Sequence, residues 1–197
     1  MGTMKNREDL TRIDWLNAGQ VLLRQDGLRA LRLRTLATSL NISTGSFYHH
    51  FEDFASFLGQ LADYYSGEQL SQNLAEIRRN AITPYDCVKI ASEFALNEDL
   101  PRLTLAMRAW GRSDARALKS VRALDQKLIS FFTESLEDMG FDPGEAVTRA
   151  YLLVAAGTCD MELPKALKRD TTLRRRLIAI ICEPAPTRPG PKKKKGA

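Results

Sequence analysis

The chain has 197 residues, 44% of them apolar and 27% charged, which is enough to enclose a core. No stretch approaches the roughly 18 uncharged apolar residues of a membrane span, and Met1-Gly2-Thr3-Met4-Lys5 has no apolar run behind it, so a cytoplasmic protein with no membrane partner is expected. The formal net charge of +5 belongs mainly to residues 183–197, which carry +4 (Arg188 and Lys192 to Lys195 against Glu183) and leave +1 for the rest, so basicity alone does not mark a nucleic-acid face.

Apolar residues recur at helical spacing and strict alternation is nearly absent, so the chain reads as all-α with about nine helices. A first helix is predicted over Glu8–Gln25, with Trp15, Ala18, Gly19, Leu22 and Leu23 on one stripe and Gly27 as a left-handed stop. Two short helices follow, Leu33–Leu40 and Thr44–Phe51. A fourth is capped by Asp53 and runs past Tyr65. Pro84 and Pro101 open the next two, the first with Val88, Ala91, Phe94 and Ala95 on one face, and Gly111 weakens the second. A long helix capped by Ser113 or Asp114 carries Leu118 to Met139 and ends at Gly140. Asp142-Pro143-Gly144-Glu145 reads as a cap with Glu145 in a capping-box position, opening Pro143–Met161, and a last helix spans Pro164–Cys182. Residues 183–197, rich in Pro and Lys, are expected to form a disordered basic tail.

Cys87, Cys159 and Cys182 are widely spaced and form no CxxC pair, which suggests neither a disulfide framework nor a zinc site; core packing is expected, with a redox-sensing thiol as the alternative. His49 and His50 are adjacent and lack a His or Cys partner one turn away, so no metal or other cofactor is called for. No residue set recommends an enzyme.

The segment Leu33–Phe51 carries the chemistry. Leu36, Ala37 and Leu40 share one face of the first short helix. Asn41 can take the left-handed turn, Ile42 plugs it, and Ser43 can cap the second helix. Phe47 and Phe51 face inward, which turns Thr44, Gly45, Ser46, Tyr48, His49 and His50 outward. Small residues let a helix approach the floor of a DNA major groove, and the hydroxyl and imidazole groups can meet phosphate oxygens. Arg32, Arg34 and Thr35, at the start of the preceding helix, complete the expected DNA-facing set. An ordinary helical corner with a solvated polar face fits the same pattern.

Residues 15–58 go further and resemble the DNA-binding domain of the TetR family of repressors. The resemblance rests on Trp15, Ala18-Gly19, Leu22-Leu23 and Gly27, then Leu36-Ala37, then Ile42-Ser43-x-Gly45-x-Phe47-Tyr48-x-His50-Phe51. It implies base-edge contacts from Thr44, Gly45 and Ser46, phosphate contacts from Tyr48 and His50, and core anchoring by Phe47 and Phe51. Asn41 stands where the family usually has Gly, and Arg32 where a capping Thr is common. Phe54 replaces a Lys that usually meets phosphate, behind the acidic Glu52 and Asp53.

The resemblance implies a three-helix DNA-binding domain over residues 1–52 and a larger helical effector-binding and dimerisation domain over 53–182. Candidate pocket residues are Phe94, Met107, Trp110, Phe131, Tyr151 and Met161, each of which also fits plain core. Ala146, Ala150, Leu153, Val154 and Gly157 form a small-residue face suited either to a homodimer four-helix bundle or to the chain's own core. The function implied is a ligand-responsive regulator, most simply a repressor. It would bind palindromic double-stranded DNA as a dimer and be released by a small-molecule effector. The alternative is a dimeric helical binding module with weakened or non-specific DNA binding.

Overall fold

Local caps and turn residues set most of the helix boundaries. The computed structural model describes residues 10–158 and 171–183, and these form nine α-helices and two short 3-10 helices. Helix α1 (Arg12–Asp26) starts later than the expected Glu8, because Thr11 is extended and its N–H and hydroxyl both donate to the Asp14 carboxylate at 2.7 Å. Gly27 ends α1 at φ 73°, a conformation that favours glycine. After a 3-10 turn at Leu28–Ala30, α2 (Leu33–Ser39) closes with the Ile42 N–H donating to the Ala37 carbonyl and the Asn41 N–H to that of Thr38, each at 3.0 Å. Asn41 sits at φ 54°, so it takes the left-handed position that this closure requires.

Helix α3 (Phe54–Tyr65) is capped by Asp53, whose carboxylate accepts from the Ser56 N–H at 2.6 Å. It stops at Ser66, and α4 (Glu68–Asn80) begins beyond Gly67, where an added Cβ would lie 3.1 Å from the Asp63 carbonyl. None of the α4 residues is fully buried, but Leu70, Leu74 and Ile77 share one face and pack half-buried against the two apolar clusters. Then follow α5 (Pro84–Asn97), α6 (Leu100–Trp110), α7 (Ala115–Asp138), α8 (Pro143–Thr158) and α9 (Thr171–Cys182). Gly111 does more than weaken α6. It ends the helix, and an added Cβ would meet the Leu118 backbone at 3.1 Å, so its lack of a side chain lets α6 and α7 approach. Asp114 caps α7, and Asp142 accepts from the Gly144 and Glu145 N–H groups at the start of α8. Glu145 does not complete a capping box; its carboxylate instead takes two N–H donors from Arg149. Cys159, Met161, the start of the last helix at Pro164 and residues 184–197 lie outside the described residues.

Two apolar clusters are strung along α7. The first joins Trp15, Leu23, Leu36, Phe47, Phe57 and Leu61 to Met107, Trp110 and Val121. The second joins Val88, Phe131, Leu136, Ala146, Ala150, Ile178 and Cys182. The packing has no break at residue 52, because α3 buries Phe57 and Leu61 in the cluster that holds Trp15 and Phe47. Polar ties fix α3 to the helices behind it. Arg116 of α7 pairs with Asp63 across Gly59, and the buried Tyr65 hydroxyl donates to Thr104 of α6 at 2.8 Å. Arg149 ties α8 to the end of α9, donating to the Ile181 and Glu183 carbonyls while stacking over the Phe141 ring at 4.3 Å. No helix among the described residues is long and apolar enough to cross a membrane.

Burial of two acidic groups predicts an alkaline limit to stability. Burial pushes the Cys182 thiol from its ordinary 9.0 to about 11, with the nearby Arg149 opposing in part, and burial likewise raises the Tyr65 hydroxyl well above the tyrosine range. Both groups hold their protons more tightly when folded. Their contribution is therefore complete below pH 9 and is lost as pH rises towards 11, with Tyr65 adding to the loss above pH 10. Urea midpoints measured from pH 7 to 11 should stay flat up to about 9 and then fall; a curve flat to pH 11 would contradict the burial of these groups.

Candidate nucleic-acid interface

The turn after α2 delivers a 3-10 helix, Thr44–His49, where the sequence suggested an α-helix over Thr44–Phe51. Segments this short readily tighten into 3-10 geometry. Only Phe47 of this helix is buried. Its ring meets Trp15 edge-on at 5.3 Å, stacks on Phe51 at 5.0 Å and touches Phe57 at 5.7 Å, so both expected anchors, Phe47 and Phe51, lie in the core. One aromatic post thus holds a short helix whose other residues are polar or small.

Of the expected DNA-facing residues, Arg32, Arg34, Ser43, Thr44, Gly45, Tyr48 and His49 are exposed, whereas Thr35, Ser46 and His50 are half-buried. Tyr48 is 61% exposed, although its ring edge rests on Phe47. Ser43 occupies the cap position but makes no side-chain capping bond, so its hydroxyl is not committed to the helix. Gly45 has nothing closer to a notional Cβ than the Ser43 hydroxyl at 3.7 Å. The His50 ring leans on Trp15 and Phe51, each at 6.5 Å, which fixes one end of the segment.

The neighbouring charges are now placed as well. Phe54 is half-buried against Phe47 and Phe57, so it carries packing rather than charge. Asp53 is occupied as the cap of α3. Arg12 of α1 is exposed and holds its guanidinium 5.8 Å from the centre of the Phe51 ring, beside the end of the 3-10 helix Thr44–His49. The sequence reading missed Arg12. Its signal was its position three residues before Trp15, which puts it on the side of α1 that meets the 3-10 helix.

The expected effector residues do not form one site. Met107 and Trp110 are closed into the first cluster, Phe94 and Tyr151 lie at the surface, and Met161 falls outside the described residues. Phe131 borders an open groove of 320 Å³ between α4 and α7. The expected dimer face is also corrected. Ala146, Ala150, Leu153 and Val154 are buried within the protomer, because small side chains let α8 lie close against α7; Gly157 is exposed. The apolar side chains left outside are Val147, Tyr151 and Leu152 of α8 with Leu177 and Ile180 of α9; Tyr151 is 63% and Ile180 68% exposed. Cys87 and Cys182 are buried as core residues.

No protein-family model and no curated protein sequence matches the chain. Its fold matches solved structures. A TetR transcriptional regulator from Legionella pneumophila superposes with a TM-score of 0.68 over 91% of this chain and 97% of that one, at 16% identity. Escherichia coli NemR in its reduced form gives 0.65 over 87% and 95%, at 19% identity. FadR from Bacillus subtilis, in complex with stearoyl-CoA, gives 0.52 over 86% and 97%, at 14% identity. The chain has the fold of the TetR-family transcriptional regulators.

Proposed function

We propose that this chain is a dimeric transcription regulator that reads duplex DNA with residues 43–50 and answers to a small molecule bound by its helical domain. The observation that carries the reading is the 3-10 helix Thr44–His49, whose one buried residue is an aromatic anchor and whose outward residues are small or hydrogen-bonding. A backbone so thinly covered can lie against base edges, with Thr44, Gly45 and Ser46 at the groove floor. Tyr48, His49 and His50 would hold phosphates on one side, and Arg12, Arg32 and Arg34 would supply cations. Residues 1–52 would be the reading unit and 53–182 the sensing and dimerising unit, with α3 shared between their cores. The FadR neighbour, solved with stearoyl-CoA, is consistent with a fold that accommodates a ligand; the acyl-CoA itself is not carried over.

The dimer would form through the exposed face of α8 and α9. Pairing two copies about a two-fold axis would bury Tyr151, Leu152 and Ile180 and place two recognition segments about one helical turn apart, so the operator would be an inverted repeat. Effector binding would favour a geometry with the wrong half-site spacing and release the DNA.

Selection of bound duplexes from a random pool tests the reading. Enrichment of an inverted repeat is expected, and a pool without any consensus would refute it. The dimer is tested by Ile180→Glu, which places an unpaired charge in the interface and should weaken association at least about 100-fold, giving a monomer in sedimentation. A dimer that persists unchanged would put the interface elsewhere.

A further inference from the structure

Helix α9 is held to the body of the protein by little. Among its described side chains only Ile178 and Cys182 are buried, and its ion pair to α5, Arg175 with Glu93 at 3.5 Å, is largely exposed. The last carbonyls of any helix lack a partner within it. Here one side chain answers them from α8. The Arg149 guanidinium donates to the Ile181 carbonyl and, at 2.8 Å, to the Glu183 carbonyl. The same group takes the Glu145 carboxylate with two further N–H donors, at 2.9 and 2.6 Å, and lies 4.3 Å from the centre of the Phe141 ring. Glu145 thus neutralises and orients the guanidinium, Phe141 covers one face of it, and its charge sits at the negative end of the α9 dipole. The Arg149 side chain is 14% exposed, so the arrangement is a covered clasp rather than a surface ion pair.

The clasp lies behind the apolar face left outside the protomer. Leu177 and Ile180 form the α9 half of that face, and the carbonyl held by Arg149 belongs to the residue after Ile180. Tyr151 and Leu152, two and three residues beyond Arg149, form the α8 half. Arg149 therefore sets where one half of the face stands relative to the other.

We propose that Arg149 is the positioning residue of the dimer face. It makes no contact across the interface; by capping the end of α9 it holds Leu177 and Ile180 in register with Tyr151 and Leu152. The consequence for association rests on the dimer proposed above, whereas the capping of α9 does not. Without the guanidinium the Ile181 and Glu183 carbonyls lose their donor, the last turn of α9 opens, and each copy presents a broken face to the other.

Arg149→Met keeps an apolar stem against Phe141 and removes every donor. Arg149→Lys keeps the charge but cannot donate in one plane to a carboxylate and two carbonyls. Each full-length variant is read by sedimentation over a dilution series, by hydrogen exchange in the last turn of α9, and by alkylation of each thiol with iodoacetamide, resolved by peptide mass spectrometry. Cys182 of α9 is buried by its own protomer, and Cys87, buried in the same cluster from α5, is the internal control. Arg149→Met should weaken association about tenfold and quicken both α9 exchange and Cys182 alkylation about tenfold, with Cys87 unchanged. Arg149→Lys should fall between Arg149→Met and the wild type. Ile180→Glu acts by contact and should break the dimer without quickening Cys182. Weaker association with α9 exchange and Cys182 alkylation unchanged overturns the proposal, as does an opened α9 with no loss of association. Cys87 quickening together with Cys182 would make Arg149 a general support of the fold, and full recovery in Arg149→Lys would reduce it to a charge; either result also overturns the proposal. If the wild type is a monomer, the dimer reading fails and with it the consequence for association, while exchange and alkylation still decide whether Arg149 caps α9.

Discussion

Gly45→Trp should abolish sequence-specific duplex binding and leave the fold intact. Gly45 is exposed, and the nearest side-chain atom to where its Cβ would stand is the Ser43 hydroxyl at 3.7 Å, so the backbone there has room for a side chain. It would stand between the 3-10 helix and the base edges and lift the backbone away from the groove floor. Each good base-edge pair contributes about 1–3 kcal/mol of discrimination, and a two-fold dimer loses such contacts in both half-sites. Specific affinity should therefore fall at least about 100-fold, approaching the non-specific level. Fluorescence anisotropy with a labelled duplex reads the loss, and a thermal melt within about 2 °C of wild type shows that folding is untouched. Retained specific binding would move the reading surface away from residues 44–46.

Phe47→Ala attacks the same surface from beneath and should cost about 3–5 kcal/mol of stability. Phe47 is 0% exposed and is the one buried residue of its helix, in ring contact with Trp15, Tyr48, Phe51, Phe54 and Phe57. Truncation leaves a cavity that five aromatic rings cannot fill without moving, and the six-residue helix has no other buried side chain to hold it. Such a loss is a large share of the roughly 5–15 kcal/mol that stabilises a typical domain. Phe47→Leu retains most of the volume and should cost less than half as much. Urea unfolding followed by tryptophan fluorescence separates the two variants, since Trp15 lies against Phe47. Equal midpoints for wild type and Phe47→Ala would mean that the aromatic cluster does not anchor the segment.

The legible features were those fixed by local chemistry. Asn41 sits in the left-handed conformation that its turn needs, Gly140 does the same at φ 95° after α7, and Asp53, Asp114 and Asp142 all cap the helices that follow them. The inward turn of Phe47 and Phe51 was also legible, because spacing alone sets it. Features that depend on which of two apolar faces meets which neighbour were not. Helix α8 is apolar nearly all round, and the pattern cannot say that Ala146 and Ala150 face α7 while Val147 and Tyr151 face outward; steric crowding against α7 decides it. Large aromatic side chains misled the effector assignment for a related reason. Met107 and Trp110 fill space in the first cluster, and their size alone does not distinguish a core residue from a pocket wall. Arg12 escaped notice because its partner ring, Phe51, lies far along the sequence.

The central claim is sequence-specific DNA recognition, and its most direct measurement is a titration of the purified chain. The test duplex is the segment upstream of its own coding sequence, with a scrambled duplex of equal length as control, each at about 50 and 200 mM salt. The account predicts tighter binding to the native duplex at both concentrations, with two protomers per site and a preference that survives the higher salt. Equal affinity for both duplexes, collapsing together as salt rises, would contradict it. That result would leave a helical dimer that meets DNA through its basic residues alone.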